Sequence, residues 1–578
     1  MAEIAELFPE NAKKKYRDSL KDFRLPYWDY YKPRNQTKTK MPGITQPGGA
    51  TSFEYDFGIP QVFTVESVMV RRTSDDQLEP LENPLNRFIF PSSGGFADAD
   101  WTLVSNFSKK QTVRYPSSIS DTKGSSTLLN ATLNRERENN TTIILDMIKD
   151  YNSFASFSSD SLSPGLSGSL EDIHGNYHGL IGGPRGRQGH MSQVPIAAFD
   201  PIFWIHHCQI DRWLAIWQAA HPDKWFDGQY QELVNRRWTP TDIAPLAEEV
   251  AVPFRHPQGS FWTANLARKT DDFGYVYKDA IGSPQEVRAK FASLYSWAVR
   301  SRTGTGKYGP PPPDMVPNAN AVNSAQVFQY TAVNKVTNFA SSAAFEAPQT
   351  VMNFLQTTTS AASEKAGISS SEKAEETNGD AAASTNPVAP EANNSDISFT
   401  NLLQNQVAAA PNTVDESRYS RDWYVDNVVE RLALNGSFTI FYFVGNFNSV
   451  DVENYELQPT MAGLNHVFTS SREACDNCGV QAEEGHLISG TKPITPMLLD
   501  YVKIGELPDI TPANVVPFLT KNLKWRIVGA SGEPANPRTV AGFKVGVSSK
   551  LSPLTGTDGG PIYEEYPQIV EQIIENAS

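Results

Sequence analysis

The stretch from Ser169 to Gln218 holds five of the nine histidines in the chain, and three of them sit at spacings that suit a metal ion. His174 and His178 are four residues apart in a segment that reads as helix. Ser169 is a natural N-cap, Glu171 and Asp172 suit the positive end of the dipole, and Gly182-Gly183 stops it. Both imidazoles therefore project from one face. Asp200-Pro201 then opens a second helix, the aspartate as cap and the proline in the first turn, where its missing N–H is harmless. This helix carries Phe203, His206, His207, Asp211, Arg212, Trp213 and Trp217. Three imidazoles from two facing helices make a compact nitrogen site suited to copper or zinc, and helix bundles commonly build such sites. An isolated i,i+4 histidine pair is more often a surface or core pair. The third histidine, in its capped and aromatic-flanked helix, turns the reading toward a metal. His190 lies in a Gly-rich loop and reads as a structural hydrogen-bonding residue, and Cys208 reads as a buried helix thiol.

The segments HGNYH, GHMS and AAFDPIFWIHHCQIDRWLAIWQ resemble the copper-B half of the type-3 copper family of tyrosinases, catechol oxidases and haemocyanins, and GHMS resembles its filamentous-fungal branch. The resemblance implies a mainly α catalytic domain with long loops and makes His174, His178 and His207 the copper-B ligands. His206 is then a second-layer residue, Phe203 packs on the site, and Asp211 belongs to its surroundings. FRLPYWDYY, near Trp28, resembles the family's segment that follows the copper-A helix and packs on the metal centre. Asn83-Pro84-Leu85 and Phe273 to Tyr277 resemble further family segments.

The chain departs from the family at copper A. Three histidines are expected before FRLPYWDYY, yet no histidine precedes His174. Two explanations are open: a truncated or mispredicted start, or a real loss that leaves a one-copper protein. On either, a 578-residue chain with one copper site is expected to oxidise phenols poorly by itself.

At 578 residues the chain is too long for one core, and its formal charge of −15 argues against nucleic acid or anionic membrane surfaces as partners. No apolar run is long enough to span a bilayer, and the N-terminus shows no hydrophobic signal region, which leaves the localisation cytoplasmic or, if the start is truncated, unknown. Three cysteines give no disulfide framework.

Residues 10 to 24 read as a helix with Tyr16, Leu20 and Phe23 on one face, and residues 32 to 160 as loops and short helices, among them 141 to 151. Ser283-Pro284 starts another helix, through Trp297. The expected organisation is a catalytic domain over 1–330, an irregular and low-complexity linker over 331–397, and a β-rich shielding domain over 398–578. Residues 436 to 444, 498 to 504, 525 to 528 and 540 to 547 read as strands of a C-terminal β-sandwich. Cys475 and Cys478 form a C-x-x-C that, by spacing alone, is a disulfide, a redox pair or a soft-metal clamp. The resemblance links it to copper loading from a copper donor, against an incidental surface pair. It also suggests Phe468 as an aromatic plug of a latent form.

By that resemblance, two three-histidine coppers bind O2 between them and the enzyme hydroxylates small phenols at the ortho position, oxidises catechols to o-quinones, or both. Gly175 stands where some hydroxylating relatives have asparagine, which weakens the case for hydroxylation, but the position varies among hydroxylating fungal relatives and tyrosinase activity stays the first reading. The rival readings are a non-enzymatic protein holding one copper and a zinc hydrolase. The latter lacks the H-E-x-x-H glutamate.

Overall fold

The computed structural model describes residues 2–32, 41–42, 52–53, 58–91, 110–118, 120–161, 168–183, 189–226, 248, 250–295, 415–474, 476–554 and 561–576. The low-complexity tract and the 331–397 linker with its boundaries lie outside these residues, as does the end of the helix expected to reach Trp297.

The first part is helical. α1 (Glu10–Lys21) buries only Ala12, and Phe23, expected on its apolar face, lies exposed beyond its end. α2 (Ser126–Asp150), α3 (Leu170–Gly182), α4 (Ile202–Ala220) and α5 (Pro284–Tyr295) pack as a bundle around Ile144, Ile173, Trp213, Trp217 and Phe291. The Ser125 hydroxyl caps α2 by accepting from Leu128 N. α2 is much longer than the short helix expected at 141 to 151. Its middle turns carry Asn134, Arg135, Glu136, Asn139 and Asn140, which look like a solvated surface in sequence but are buried in the fold. The reason is the second part of the chain, which covers them.

That second part is an antiparallel sandwich of two four-stranded sheets. With β1 (Tyr419–Glu430), β2 (Phe438–Val444), β3 (Met461–Val467), β4 (Leu487–Pro493), β5 (Leu523–Val528), β6 (Pro534–Ala535), β7 (Lys544–Pro553) and β8 (Ile562–Glu565), the orders are β4-β1-β7-β8 and β6-β5-β2-β3. Among the described residues, four α-helices accompany it: α6 (Asp476–Glu483), α7 (Thr495–Ile504), α8 (Pro512–Asn522) and α9 (Pro567–Asn576). α7 replaces the strand expected at 498 to 504. Proline in its first turn and Gly505 at φ 82° bracket a helix, and the apolar run buries Met497, Leu498 and Tyr501 on one side. Val540 to Phe543 likewise form a turn ahead of β7.

The sandwich lies on the bundle with β3 against α3 and β4 against α2. Phe441, Phe443, Met461 and Leu464 join the same apolar cluster as the bundle core. Gly179 marks how close β3 comes: a Cβ there would lie 2.3 Å from His466 Cγ.

Candidate metal centre

α3 starts as its sequence dictates, with Ser169 Oγ accepting from Asp172 N at 3.1 Å, and ends at Gly183, whose φ of 95° suits glycine. α4 is oriented by Asp200. Its carboxylate accepts from Ile202 N at 3.1 Å and from Arg114, which grips it through Nε at 2.9 Å and Nη2 at 2.5 Å. The two helices converge on four imidazoles. His174 Nε2 lies 3.0 Å from His178 Nε2 and 3.3 Å from His207 Nε2, and one nitrogen from each of His174, His178, His206 and His207 lies within 4.8 Å of the others. The trio expected from sequence is therefore brought together.

The rings are fixed from behind. His178 donates through Nδ1 to the Met191 carbonyl at 2.8 Å, leaving Nε2 for the cluster. His206 is held at Nδ1 by the Tyr30 hydroxyl, and its buried Nε2 faces the main-chain carbonyl of His174. Tyr30 itself stacks on Tyr177 of α3 at 3.8 Å. Burial, the largest cause for each ring, lowers His174 and His207 to about 4 and pushes His178 and His206 well below the ordinary imidazole value. The three neutral rings of His174, His178 and His207, in a largely dry pocket, fit a copper or zinc ion.

Phe203 stacks on His207 with ring centroids 4.0 Å apart, as its place one turn earlier predicts. Phe468, just past the end of β3, lies parallel to His178 at 4.0 Å and edge-on to His174 at 5.8 Å. Asp211 does not join the cluster: its carboxylate accepts from Tyr275 and Tyr277 at 2.8 and 2.7 Å. Arg212 pairs instead with Asp279 at 2.5 Å and Asp29 at 3.3 Å. The reading of Asp211 as a cofactor neighbour is corrected on that ground. His190 is structural, as expected, accepting from Val113 N at 3.0 Å. Cys208 is a free thiol but half-buried, since α4 turns that face outward. Cys478 is disulfide-bonded, so its sulfur is no thiolate for a soft metal in this state, and Cys475 lies outside the described residues. Sequence reasoning missed Tyr30 as the partner of His206, although its motif had already been singled out. It also missed the Met191 carbonyl, which no side-chain pattern encodes.

The family model described as the common central domain of tyrosinase matches residues 7–220, and that of the tyrosinase C-terminal domain matches residues 422–547, together more than half the chain. The chain belongs to the tyrosinase family. A tyrosinase of Neurospora crassa is 28% identical over 98% of this chain and 80% of its own length. Haemocyanin 1 of Megathura crenulata is 49% identical over 114 residues, 19% of this chain and 3% of its own. Among solved structures, mushroom tyrosinase in its latent and active forms aligns with a TM-score of 0.57 at 20% identity, covering 97% of this chain and 79% of that one. That likeness shows the fold: a tyrosinase helical domain with a sheet-built C-terminal domain. The tyrosinase family uses a dinuclear copper centre, and the described residues of this tyrosinase-family chain contain one histidine cluster suited to copper.

Proposed function

We propose that this chain is a copper-dependent phenol oxidase that converts small monophenols or o-diphenols to o-quinones with O2, and that His174, His178 and His207 hold one copper ion. The observation that carries the reading is the set of three Nε2 atoms within about one coordination sphere, each on a ring that burial keeps neutral. Copper bound there supplies the redox chemistry toward O2. The chain's own residues hold the ion, exclude water and receive the ring. Phe203 and the buried aromatic layer of Trp28, Tyr30 and Tyr177 keep the pocket dry. A phenol would take the stacking place on His178 that Phe468 fills, so the docked sandwich competes with substrate. A side chain at Gly175 would press on His466 O and Phe468 Cβ of the docked sandwich at 3.2 and 3.3 Å, so the close approach of β3 suits glycine there. Copper delivery would come from a donor protein.

The test is copper content together with o-quinone formation from L-DOPA, by the chain and by His178→Asn. Retained copper with slow quinone formation, both lost in the variant, is expected, whereas a chain that never takes up copper would sink the reading. The rival, a copper protein without oxidase turnover, rests on one cluster forming although all nine histidines are among the described residues. It is the outcome in which copper binds and no quinone appears.

A further inference from the structure

Tyr30 joins the histidine cluster to a run of aromatic rings that ends at the surface. With its Nε2 N–H directed at the His174 main-chain carbonyl, His206 keeps its lone pair at Nδ1, where it accepts from the Tyr30 hydroxyl. The His206 ring lies 5.3 Å from those of His174 and His207 and 4.8 Å from that of His178, centroid to centroid, so one ring separates Tyr30 from the candidate ligands. Outward from Tyr30, Trp28 packs edge-on at 5.0 Å, and Tyr27 is its neighbour along the chain. Tyr27 meets Tyr277 at 5.8 Å, and Tyr277 meets Tyr275 at 5.5 Å.

Packing accounts for the inner half of this run only. Trp28 and Tyr30 are buried members of the bundle core. Tyr27 is 42% exposed and Tyr275 and Tyr277 are half-buried, so the outer rings forgo much of the burial that a core would use. What the inner and outer rings share is chemistry. Phenols and indoles are the aromatic side chains that give up one electron most readily, and a phenol does so best where its proton has an acceptor in place. The Asp211 carboxylate is that acceptor for both outer phenols, taking hydrogen bonds from Tyr275 Oη at 2.8 Å and Tyr277 Oη at 2.7 Å.

We infer that Tyr30, Trp28, Tyr27, Tyr277 and Tyr275 form an electron relay that carries oxidising equivalents from the metal centre to the surface. It rests on the histidines holding a redox-active ion, as proposed above. The oxidant is hydrogen peroxide, which reduced copper and O2 generate when no phenol is bound. Two electrons and two protons convert it to two waters. The electrons arrive one at a time, each ring being refilled by the next one out. Tyr275 and Tyr277 are the net donors. Each becomes a phenoxyl radical as its O–H bond breaks and the proton passes to Asp211 and on to solvent. Radicals there are within reach of a small reductant such as ascorbate, and the ligand imidazoles are spared.

Tyr27→Phe is the decisive variant. It keeps the ring against Tyr277 and the Arg212 guanidinium but removes a hydroxyl that makes no hydrogen bond among the described residues, so the melting temperature should not change. In the first experiment the copper-loaded full chain is treated with hydrogen peroxide, oxidised residues are mapped by peptide mass spectrometry, and copper is measured on the same sample. Oxidation concentrated at Tyr275 and Tyr277, with His174, His178 and His207 spared, is expected from the wild type. Tyr27→Phe should raise oxidation of those histidines several-fold and lower that of the two tyrosines. Tyr419→Phe, in β1 of the sandwich, should keep the wild-type pattern. Identical patterns in wild type and Tyr27→Phe, or the same shift in Tyr419→Phe, would overturn the inference. The second experiment needs no metal: flash-generated ruthenium(III) tris-bipyridine oxidises the metal-free chain from outside. Buried Trp28 should then be oxidised in the wild type and several-fold less in Tyr27→Phe. Equal Trp28 oxidation in the two chains overturns the relay whether or not copper binds. A chain that passes this arm yet takes up no copper keeps the relay and loses only the metal reading.

Discussion

At the scale of single residues, the decisive property of the centre is that its imidazoles are uncharged before any metal arrives. Burial lowers His174 and His207 to about 4 from 6.5, and His178 and His206 lie lower still. A lowered imidazole means the unfolded chain binds more protons than the folded one. These residues therefore support the fold fully above about pH 6.5 and withdraw that support as pH falls toward 4. For the metal-free protein, melting temperature should be flat from pH 8 to 7 and fall steadily below 6.5, measured by calorimetry. Cation affinity should stay nearly constant between pH 7 and 5, because no proton has to leave, and weaken near pH 4. A tenfold loss per pH unit already at pH 6.5 would contradict the burial argument. Phe468 is the other residue with a local consequence. Aromatic stacking contributes about 0.5–1.5 kcal/mol, so Phe468→Ala should speed chelator removal of the bound ion by up to about tenfold in stopped-flow traces. Much of this centre was legible in sequence: the His174–His178 pair follows from helix spacing and its cap, while His207 rather than His206 as the third ligand, and Phe203 beside it, come from the family resemblance. Tyr30 was not, because its meaning depends on a ring 176 residues away.

Elements were read well where their own sequence decides them and badly where a neighbour does. Ser169 and Gly183 bound α3 within the expected residues. α2 was underestimated because its polar middle is satisfied by another part of the chain: Arg135 donates to the carbonyls of Glu456 at 3.0 Å and Gln458 at 2.7 Å, and Asn139 to Ala462 O at 2.9 Å. α7 was mistaken for a strand because a short apolar run is compatible with both periods and only its proline and glycine decide. The contact between α3 and β3 gives a prediction at this scale. The backbone at Gly179 is approached so closely that a methyl group would meet His466 at 2.3 to 2.7 Å. Gly179→Ala should therefore destabilise the protein by about 1–3 kcal/mol through overpacking, despite raising helix propensity. Combining it with His466→Ala should cost less than the two singles added, because the smaller side chain vacates the space. Strict additivity in denaturant titrations would show that the two do not meet.

For the whole molecule, the question is what keeps the sandwich on the helices. Besides the shared apolar cluster, the contact is charged. Lys492 faces Asp172 at 3.6 Å, Arg431 faces Glu171 at 3.3 Å, and the fully buried Lys550 of β7 sits between Asp146 and Asp150 of α2 at 2.5 and 3.2 Å. The acids come from the helices and the bases from the sheets, so neither part alone satisfies these groups. No sequence window contains both partners, which is why this docking was the least legible feature of the chain. The Lys550 site holds one ammonium for two carboxylates. The ammonium is held well above its ordinary value, while burial outweighs the lysine at Asp150 and raises that carboxyl. Removing the lysine therefore differs in kind from removing the surplus acid. Lys550→Met leaves two buried carboxylates facing each other and should cost about 3–5 kcal/mol in chemical denaturation. Asp146→Asn loses the closer contact and weakens the hydrogen bond from Tyr424 Oη at 2.9 Å, so it should also be clearly destabilising. Asp150→Asn keeps the lysine paired with Asp146 and removes a charge already disfavoured by burial, so it should change stability by less than about 1 kcal/mol. If Asp150→Asn proved as damaging as Lys550→Met, both carboxylates would be needed in ionised form. The account of one ion pair plus one surplus acid would then be wrong.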